Sequence, residues 1–579
     1  MDPIRFFLNP ATPGQRQYEA LRAYYVEHLP GKEATRRFGY TYAAFNSLKQ
    51  RFKSGDLKFF VTAPPGPKGP RLPVEVRQEI IEYRKKGLSA YQIGEVLETL
   101  GKATSISTII RVLEEEGFPK LPRRTQLKIG LTRDNTIVPG YAKSIEAKAL
   151  AEWSGECSVG GIFLFAPLIE HFGIPRLVEQ AGLPSSPKIS ALNYVLSMLA
   201  LKLVGKERLS QIDDFNFDGG LGLFAALQNA LPKSTAISSY SYRLSSRHIR
   251  QFMAGFVGRQ NALKIYNSDT INLDFHTIQH YGDESILDEH WSGARSKRVK
   301  GALTLIAQDC DSKCQLYADS DVLKSEADDQ ILEFVKFWQK IRGPRFQQTL
   351  VFDSKLTTYE NLKALASDGV KFITLRRRGK NLVQDAEAIP AEEWKRVTID
   401  SARRKYKNPM VHDAMTDLRG YGEIRQLIMK GNGREEPAFF ITNDEDASAN
   451  DIILRYAKRW RVENSIEEAV SFFNLNALSS PILIKVHFDV VLTMIADTLY
   501  YHLAQSLRGF ESCNAERIFR HFIDMPAKIR TQGDEIHVYY PLRAHNPVLR
   551  SAGLEKWAPP ISWLGNRKLR FHWGESLLN

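Results

Sequence analysis

The pattern of apolar and polar positions divides the chain into regions of different texture. Between about 150 and 260, apolar residues recur at helical spacing, as in "ALNYVLSMLALKLVG" (191–205). After residue 262, short alternating or fully apolar runs appear, such as "TINLDFHTI" (270–278) and "QTLVFDSK" (348–355), with helical stretches between them. Strands that alternate with helices predict an α/β sheet. A strand-rich stretch follows at about 380–450, and a helix with a β-hairpin is expected at 506–579.

Two short helical units come before these regions, at residues 1–60 and 73–118. A Pro/Gly-rich linker at 61–72, which no helix continues through, separates them. Each unit reads as a helix, a tight turn and a further helix, which is the plan of a helix-turn-helix DNA reader. In the first unit the later helix carries three cations, Lys49, Arg51 and Lys53. A small helical bundle that binds no ligand is the alternative.

The charge of the chain is concentrated near its start. Residues 1–130 hold 22 Lys+Arg against 13 Asp+Glu, so +9 of the net +13 lies there. A basic linker is expected at 119–150, followed by a helical domain at 151–260. A basic module on a nearly balanced body indicates a polyanionic partner, most commonly nucleic acid.

The cysteines and apolar stretches indicate the compartment. The 4 cysteines are too scattered for a disulfide framework, which predicts a reducing environment. The first residues lack the pattern of an export signal. The most apolar later stretch, "VVLTMIADTLYYHLA" (490–504), is shorter than a membrane span. We therefore expect an intracellular protein that is soluble and does not enter a membrane.

Two aspartates lie on apolar strands. Asp353 ends the run Leu350–Phe352, at the carboxyl end of a strand, where α/β sheets place their ligands. A helix N-cap is its structural alternative. Asp274 interrupts "INLDFHTI", where a carboxylate within a sheet must be paired, protonated or bound to a metal. Asp269 is an alternate first acid.

A third acid lies in "LRYAKRWRVENSIEEAVSFF" (454–473), which is predicted to be one helix. Tyr456, Arg459 and Glu463 are three and four residues apart and so share one edge of it. An Arg–Glu pair on a wet surface is the alternative reading. If Glu463 converges with the two aspartates, the three carboxylates form an oxygen-rich site suited to Mg²⁺ or Mn²⁺, as two ions that activate a nucleophile at a phosphodiester.

These segments resemble the DDE transposases of bacterial insertion sequences, in the branch with a Tyr-x2-Arg-x3-Glu-x6-Lys helix. Tyr456, Arg459 and Glu463 match the first three positions, whereas Val470 stands where the motif has lysine. Lys458 and Lys355 are the alternative cations for that DNA contact. The resemblance covers about 262–505.

The resemblance implies an α/β RNase H-like catalytic domain at 261–505, with a strand-rich insertion at about 380–450, after the all-α helix-turn-helix region. It implies that Asp274, Asp353 and Glu463 bind the metal ions and are catalytic, and that Arg459 and Tyr456 contact DNA beside the cut. The cations that we assign to DNA binding elsewhere are Lys355, Arg376, Arg377 and Arg378, together with Lys49, Arg51 and Lys53.

The function implied is a transposase that binds the inverted-repeat ends of an element, cleaves DNA and joins the ends to target DNA. Double-stranded DNA is the expected partner, with a homodimer assembled on it, in the bacterial cytoplasm and on the nucleoid when bound. The alternatives are a catalytically inactive sequence-specific DNA-binding protein and an RNase H-like nuclease that does not join ends.

Overall fold

The computed structural model describes most of the chain. The described residues are Phe7, 9–57, Phe59, 72–86, 88–118, 142–228, 230–280, 287–292, 297–399, 408–431, Gly433, 435–477 and 482–574. The predicted linker at 61–72, except for its last residue, and most of the predicted basic linker at 119–150 lie outside them. The chain divides into two compact units, Met1–Gln78 and Glu79–Asn579.

The first unit is helical in its described part. Its helices are Pro13–Tyr25, Gly31–Phe38 and Tyr42–Lys53. Gly39, in the left-handed conformation at φ 67°, ends the second of them, and the Thr41 side chain caps the third by accepting from the Ala44 N–H. The third helix carries Lys49, whose ammonium lies 4.5 Å from the Tyr24 ring, and the exposed Arg51 and Lys53. DNA recognition by this helix stays a prediction.

The helices after the first unit follow the predicted plan. They are Val74–Lys85, which crosses the boundary between the units, Ala90–Thr99 and Ile106–Glu115. Ser89 and Gln92 form a capping box at the start of the second, and the Ser105 side chain caps the third. Gly101, at φ 72°, makes the turn between those two helices.

A helical region packs around one long buried helix. The helices of this region are Ala166–His171, Ile174–Gln180, Ala191–Leu203, Gly219–Phe224, Ser234–Tyr240, Ser246–Ala262 and Leu483–Ser506. Leu483–Ser506 is apolar on nearly all sides, as expected of a helix inside a large core. Its Asp489 forms an ion pair of 2.7 Å with Lys202, and both side chains are less than a tenth exposed.

A mixed sheet lies against this helical core. Its strands are β2 (Thr270–Gln279), β3 (Glu289–Ser292), β4 (Lys297–Asp309), β5 (Gln315–Val322), β6 (Thr349–Val351), β7 (Phe372–Leu375), β8 (Lys395–Arg396), β9 (Met410–Leu418), β10 (Gly422–Lys430) and β11 (Ala438–Thr442). They follow the order β3-β4-β2-β6-β7-β11-β10-β9-β8, with β5 also paired to β4. β2, β6 and β7 are parallel to one another, and the remaining pairs are antiparallel. A mixed α/β sheet of this kind fits an RNase H-like catalytic region.

The strand-rich stretch extends the same sheet. β11 pairs with β7, and β10 and β9 continue outwards as a long antiparallel ladder. The helices that connect or follow the strands from β5 to β11 are Gln330–Arg342, Tyr359–Ser367, Lys380–Glu387, Ala449–Lys458 and Trp460–Ser471. The last two lead directly from the insertion to the candidate site.

A second sheet joins distant parts of the chain. Its strands are β1 (Ser154–Cys157), β12 (Ala527–Gln532), β13 (Glu535–Tyr540) and β14 (Lys568–Trp573), in that order. β12 and β13 form the predicted hairpin, which turns at Gly533 with φ 57°. β1 pairs with β12, and β14 runs parallel to β13. The remaining short helices are Ala515–Ile518, Asn546–Ala552 and Leu554–Trp557.

The described helices are mostly too short or too polar to cross a membrane. No single helix among the described residues is long and apolar enough to do so. One bent pair, Gly160–His171 with Ile174–Gln180, meets the test by length and composition, with an angle of 56° between its parts.

The pH dependence of stability is expected to reflect a buried carboxyl in the helical core. Burial first, and then the nearby Glu468, raise the pKa of Asp497 to about 8, while Gln315 donates a long hydrogen bond to it. This folded-state pKa is above the unfolded one. The contribution of Asp497 to the free energy of unfolding is therefore greatest below about pH 4 and falls as the pH rises towards 8. Asp497→Asn should remove this loss, of the order of 1 kcal/mol per pH unit. Denaturant unfolding at pH 5 and pH 9 measures the difference.

Candidate active site

Two of the three predicted acids belong to neighbouring parallel strands: Asp274 lies on β2, and Asp353 lies directly after β6. β2 and β6 are in register at Asn272 opposite Val351, so the positions two residues further, Asp274 and Asp353, follow side by side. Adjacent strands lie about 5 Å apart. Asp353 comes directly after Phe352 at the carboxyl end of β6, where its Oδ1 accepts from the Ser354 N–H (2.8 Å). The apolar run before each acid therefore fixes where its carboxylate lies.

The predicted single helix over 454–473 is wrong, because the helix is broken at Arg459. Tyr456 belongs to Ala449–Lys458 and Glu463 to Trp460–Ser471. At the break the Arg459 N–H bonds to the Tyr456 carbonyl (3.0 Å), a three-residue step in place of the usual four. The Asn272 side chain on β2 donates to the Lys458 carbonyl (3.3 Å), so a carbonyl at the helix end has a partner.

The Arg459 side chain lies between two acids. Its guanidinium donates to Asp274 Oδ2 (3.2 Å) and to Glu463 Oε1 (2.5 Å). Arg459 is 9% exposed, so these charge-assisted bonds are shielded from water. The surface-pair interpretation of Arg459 and Glu463 is therefore incomplete, since the pair extends to an acid on the sheet.

The electrostatics of Asp274 reflect all three acids. Burial is the largest cause that raises its pKa, from 3.8 to about 6. Arg459 opposes this by stabilising the charged form, while the negative charges of Glu463 and Asp353 raise the pKa further. The negative charges of Glu463 and Asp353 destabilise the charged form of Asp274 in this partly buried site. A further positive charge there would therefore be favourable.

Tyr456 lies beside the same group. Its ring packs edge-on against Phe440 (5.3 Å between centroids), and the Arg459 guanidinium lies 5.7 Å from its ring. Burial, followed by the opposing charge of Arg459, sets the pKa of Tyr456 at about 12, and the charges of Asp353 and Asp274 also contribute. The phenol therefore stays protonated at neutral pH and is a hydrogen-bond donor at this edge.

Asp269, the alternate first acid, lies elsewhere. It precedes β2, five residues before Asp274, which is about 17 Å along an extended strand. Its side chain is 65% exposed and pairs with Arg455 (2.8 Å). Asp269 borders a cavity of about 480 Å³ at the opposite ends of the parallel strands, together with Lys371 and Asp444. The structure thus brings Asp274, and not Asp269, to Arg459 and Glu463.

The sequence interpretation missed the residues that hold the helix Trp460–Ser471 on the sheet. Gln308 on β4 donates to the Ser465 hydroxyl (2.6 Å), and Arg461 donates to the Cys310 carbonyl (2.5 Å) and to Asp311 (3.0 Å). Gln308 is a fully buried amide in an apolar strand. A polar residue in such a run was the available signal that a partner from another element is needed.

The three consecutive arginines that were predicted to bind DNA have hydrogen-bond partners within the protein. Arg376 donates to Gln426 (2.7 Å) and Arg378 to Glu436 (2.6 Å). Arg377 donates to the Ser354 carbonyl (3.1 Å) and to the Thr357 carbonyl (3.3 Å). Arg377, one of the predicted DNA-binding residues, therefore holds the loop that carries Asp353. Lys355, in the same loop, is exposed.

Arg377→Ala is expected to lower the rate of DNA cleavage about 10- to 100-fold, the range for groups that support ligands. The physical reason is that two carbonyls of the Asp353 loop lose their donor. The concentration of Mg²⁺ that gives half the maximal rate should rise. Arg378→Ala, which removes only an exposed pair with Glu436, is the matched control. A change in DNA affinity without a change in metal dependence would contradict the supporting role and favour direct DNA contact.

Val470, at the motif's lysine position, faces the protein interior. It packs against a small cluster formed by Ile306, Val462 and Ile466. A lysine there would have to leave this contact to reach solvent. Of the two alternative cations, Lys458 is half-exposed and lies 3.8 Å from Asp311, while Lys355 is exposed beside Asp353.

The three acids fit a hard divalent cation by their chemistry. Carboxylate oxygens are preferred ligands of Mg²⁺ and Mn²⁺, and the mutual repulsion at Asp274 is the condition that such an ion relieves. Among the described residues, however, no three His, Cys, Asp or Glu side chains are close enough together to hold a metal ion. Arg459 lies between Asp274 and Glu463, so its guanidinium takes the place of a cation there.

Comparisons with known proteins bear on the same part of the chain. No curated protein matches it. Among solved structures, it is similar to the piggyBac transposase in a synaptic complex with hairpin DNA, at 12% identity and a TM-score of 0.35, over 64% of this chain and 82% of that one. Residues 326–499, which include Asp353, Tyr456, Arg459 and Glu463, match the family model described as "Transposase DDE domain". This match supports a transposase of the DDE type.

Proposed function

We propose that the protein is a DNA transposase whose active site is formed by Asp274, Asp353 and Glu463 with Arg459. The observation that carries the proposal is the bonded group of Asp274, Arg459 and Glu463 beside Asp353. This group joins Asp274, which lies outside the matched range 326–499, to Arg459 and Glu463 inside it. The finer assignment, to bacterial insertion sequences with a Tyr-Arg-Glu helix, rests on the sequence motif and remains part of the proposal.

The acids would hold one or two divalent ions, Mg²⁺ or Mn²⁺, which proteins of this family generally use. When bound, such ions lower the pKa of an attacking water and neutralise charge on the leaving oxygen. Asp274 would be a rigid ligand because it lies on β2, and Asp353 because it lies in the loop directly after β6, which Arg377 holds. Glu463 supplies the third from the helix.

Arg459 has two roles in the proposal. Without DNA it neutralises Asp274 and Glu463, which would otherwise repel each other across a partly buried space. With DNA its planar fork would bond the oxygens of the phosphate at the cut, as arginine does best. Tyr456, protonated and adjacent, would donate to the same strand of DNA.

The basic N-terminal region would recognise the inverted-repeat ends of the element. Its candidate contacts are Lys49, Arg51 and Lys53 on the helix Tyr42–Lys53. Two ends must be held at once for transposition, so a homodimer on DNA is part of the proposal. The site of action would be the bacterial nucleoid, where double-stranded element and target DNA are found.

The test is a cleavage and joining assay with the full chain and the DNA that flanks its reading frame. We expect nicking at the element ends and joining to a target plasmid in Mg²⁺, and neither in EDTA. Salt-sensitive binding without any cleavage would favour the inactive DNA-binding protein instead. Cleavage without joined products would favour the nuclease.

A further inference from the structure

The second sheet has one buried face and one exposed face. Side chains alternate along its strands, so that Ile529, Val538 and Phe571 enter the core. The residues on the opposite face are Glu156, Lys528, Arg530, Glu535, His537, Tyr539, Lys568, Arg570 and His572. We call this set the outer sheet face.

Cations outnumber carboxylates on the outer sheet face. Lys528 and Arg530 lie on β12, and Lys568 and Arg570 lie on β14. Their outward positions are exposed. Lys528 lies 3.9 Å from Glu156 on β1, and Arg570 is bonded to Glu535 on β13 (2.6 Å), so both carboxylates of the face have a cationic partner. Among the described residues Arg530 makes no ion pair. The face therefore presents net positive charge from two strands that flank a third.

An aromatic column runs between these cations. The rings of Tyr539 and His572 stack with 4.3 Å between centroids, and His572 is hydrogen-bonded to His537 (2.9 Å between nitrogens). Rings that stack across adjacent strands stand upright on the sheet, so their edges point outwards. Proteins that bind single-stranded nucleic acid offer ring faces to the bases instead. Here polar ring edges and cations are available, which suits phosphate oxygens.

We propose that the outer sheet face is a further DNA-binding surface, which holds the phosphate backbone of duplex DNA away from the cut. The proposal rests on the proposed function, since that function makes DNA the polyanion present. The cations of β12 and β14 are about 10 Å apart, or two strand spacings, and so reach more than one phosphate. Contacts of this kind position the duplex without reading its sequence.

The experiment measures binding of the full chain to a short fluorescent duplex of mixed sequence, without divalent metal. Anisotropy is followed between about 50 and about 200 mM salt. The Lys528→Gln/Arg530→Gln variant should bind about tenfold more weakly, with a salt slope less steep by about 2, since each phosphate contact contributes about 0.9. Lys528→Arg/Arg530→Lys, which keeps both charges, should bind as the wild type does.

The control for net charge is Lys336→Gln/Lys340→Gln, on the exposed side of the helix Gln330–Arg342. If this control loses as much affinity as the sheet variant, the proposal is overturned, because charge alone would then explain the loss. If Lys528→Gln/Arg530→Gln binds the duplex as tightly as the wild type does, the proposed surface is also overturned, while the proposed function remains intact. A wild type that binds no duplex overturns both. If the wild type binds this duplex but does not cleave an element end when Mg²⁺ is added, only the transposase is contradicted.

Discussion

Asp274→Asn is expected to lower the rate of DNA cleavage in Mg²⁺ by about three orders of magnitude or more, because a metal ligand that stabilises transition-state charge supplies several kcal/mol. Asp274 is singled out by its bond to Arg459 and by its place next to Asp353 on the neighbouring strand. Glu463→Gln should have an effect of the same size. The measurement is single-turnover cleavage of an element end by each variant.

The matched control is Asp269→Asn, five residues earlier on the chain. This acid pairs with Arg455 on the surface and lies far from Glu463, so the cleavage rate should change little. The opposite outcome, a severe loss for Asp269→Asn and near-normal cleavage by Asp274→Asn, would move the first acid of the site to Asp269. It would also remove the reason for assigning Arg459 to the site.

Stability distinguishes a lost ligand from a damaged fold. The pKa of Asp274 is raised to about 6 in the folded metal-free protein, from 3.8. The raised folded-state pKa means that stability falls as the pH rises from about 4 to about 6, and Asn removes that loss. The free energy of unfolding of Asp274→Asn at pH 8 should therefore exceed that of the wild type by about 3 kcal/mol, measured by denaturant unfolding. An inactive variant that is also less stable would indicate misfolding instead.

Arg459→Lys is expected to lower cleavage by about 10²- to 10³-fold, although the charge is kept. The guanidinium reaches Asp274 and Glu463 at once, with 3.2 and 2.5 Å between the bonded atoms. An ammonium is a point charge and lacks the planar fork that serves two carboxylates or two phosphate oxygens. Affinity for DNA should be nearly unchanged, so the loss should appear in the cleavage rate at saturating DNA.

Arg461→Lys is the control for this substitution. Arg461 lies two residues further along and contacts the Cys310 carbonyl and Asp311, outside the bonded group. We expect it to retain most of the cleavage rate. Equal losses at both positions would mean that the helix Trp460–Ser471 tolerates no change in arginine packing, and the special role of Arg459 would have to be abandoned.

The parts of the site that the sequence predicted are those that depend on local patterns. An apolar run that ends in an acid places Asp353 at a strand end, and alternation about Asp274 places it on one face of β2. The break at Arg459 was not predictable in this way, because its bonding partners Asp274 and Asn272 lie nearly 190 residues away. Periodicity alone favours an unbroken helix there.

Long-range partners also explain the other differences. Arg376, Arg377 and Arg378 read as a basic run, whereas each is bonded to another part of the domain. A sequence window contains the donors but not their acceptors. The second sheet is a similar case, since only its central hairpin, β12–β13, has a local signature.

The pairing of β1 with β12 has a consequence for how the chain is made. Cys157 lies opposite Ala527, so β1 has no neighbour on that side until the residues up to Ala527 have left the ribosome. Contacts with such wide sequence separation form slowly and leave unsatisfied strand edges in the meantime. At a synthesis rate of about 5–20 residues per second, the wait is tens of seconds. Assembly of this sheet therefore waits for synthesis of β12, and products truncated before β12 should be prone to aggregate.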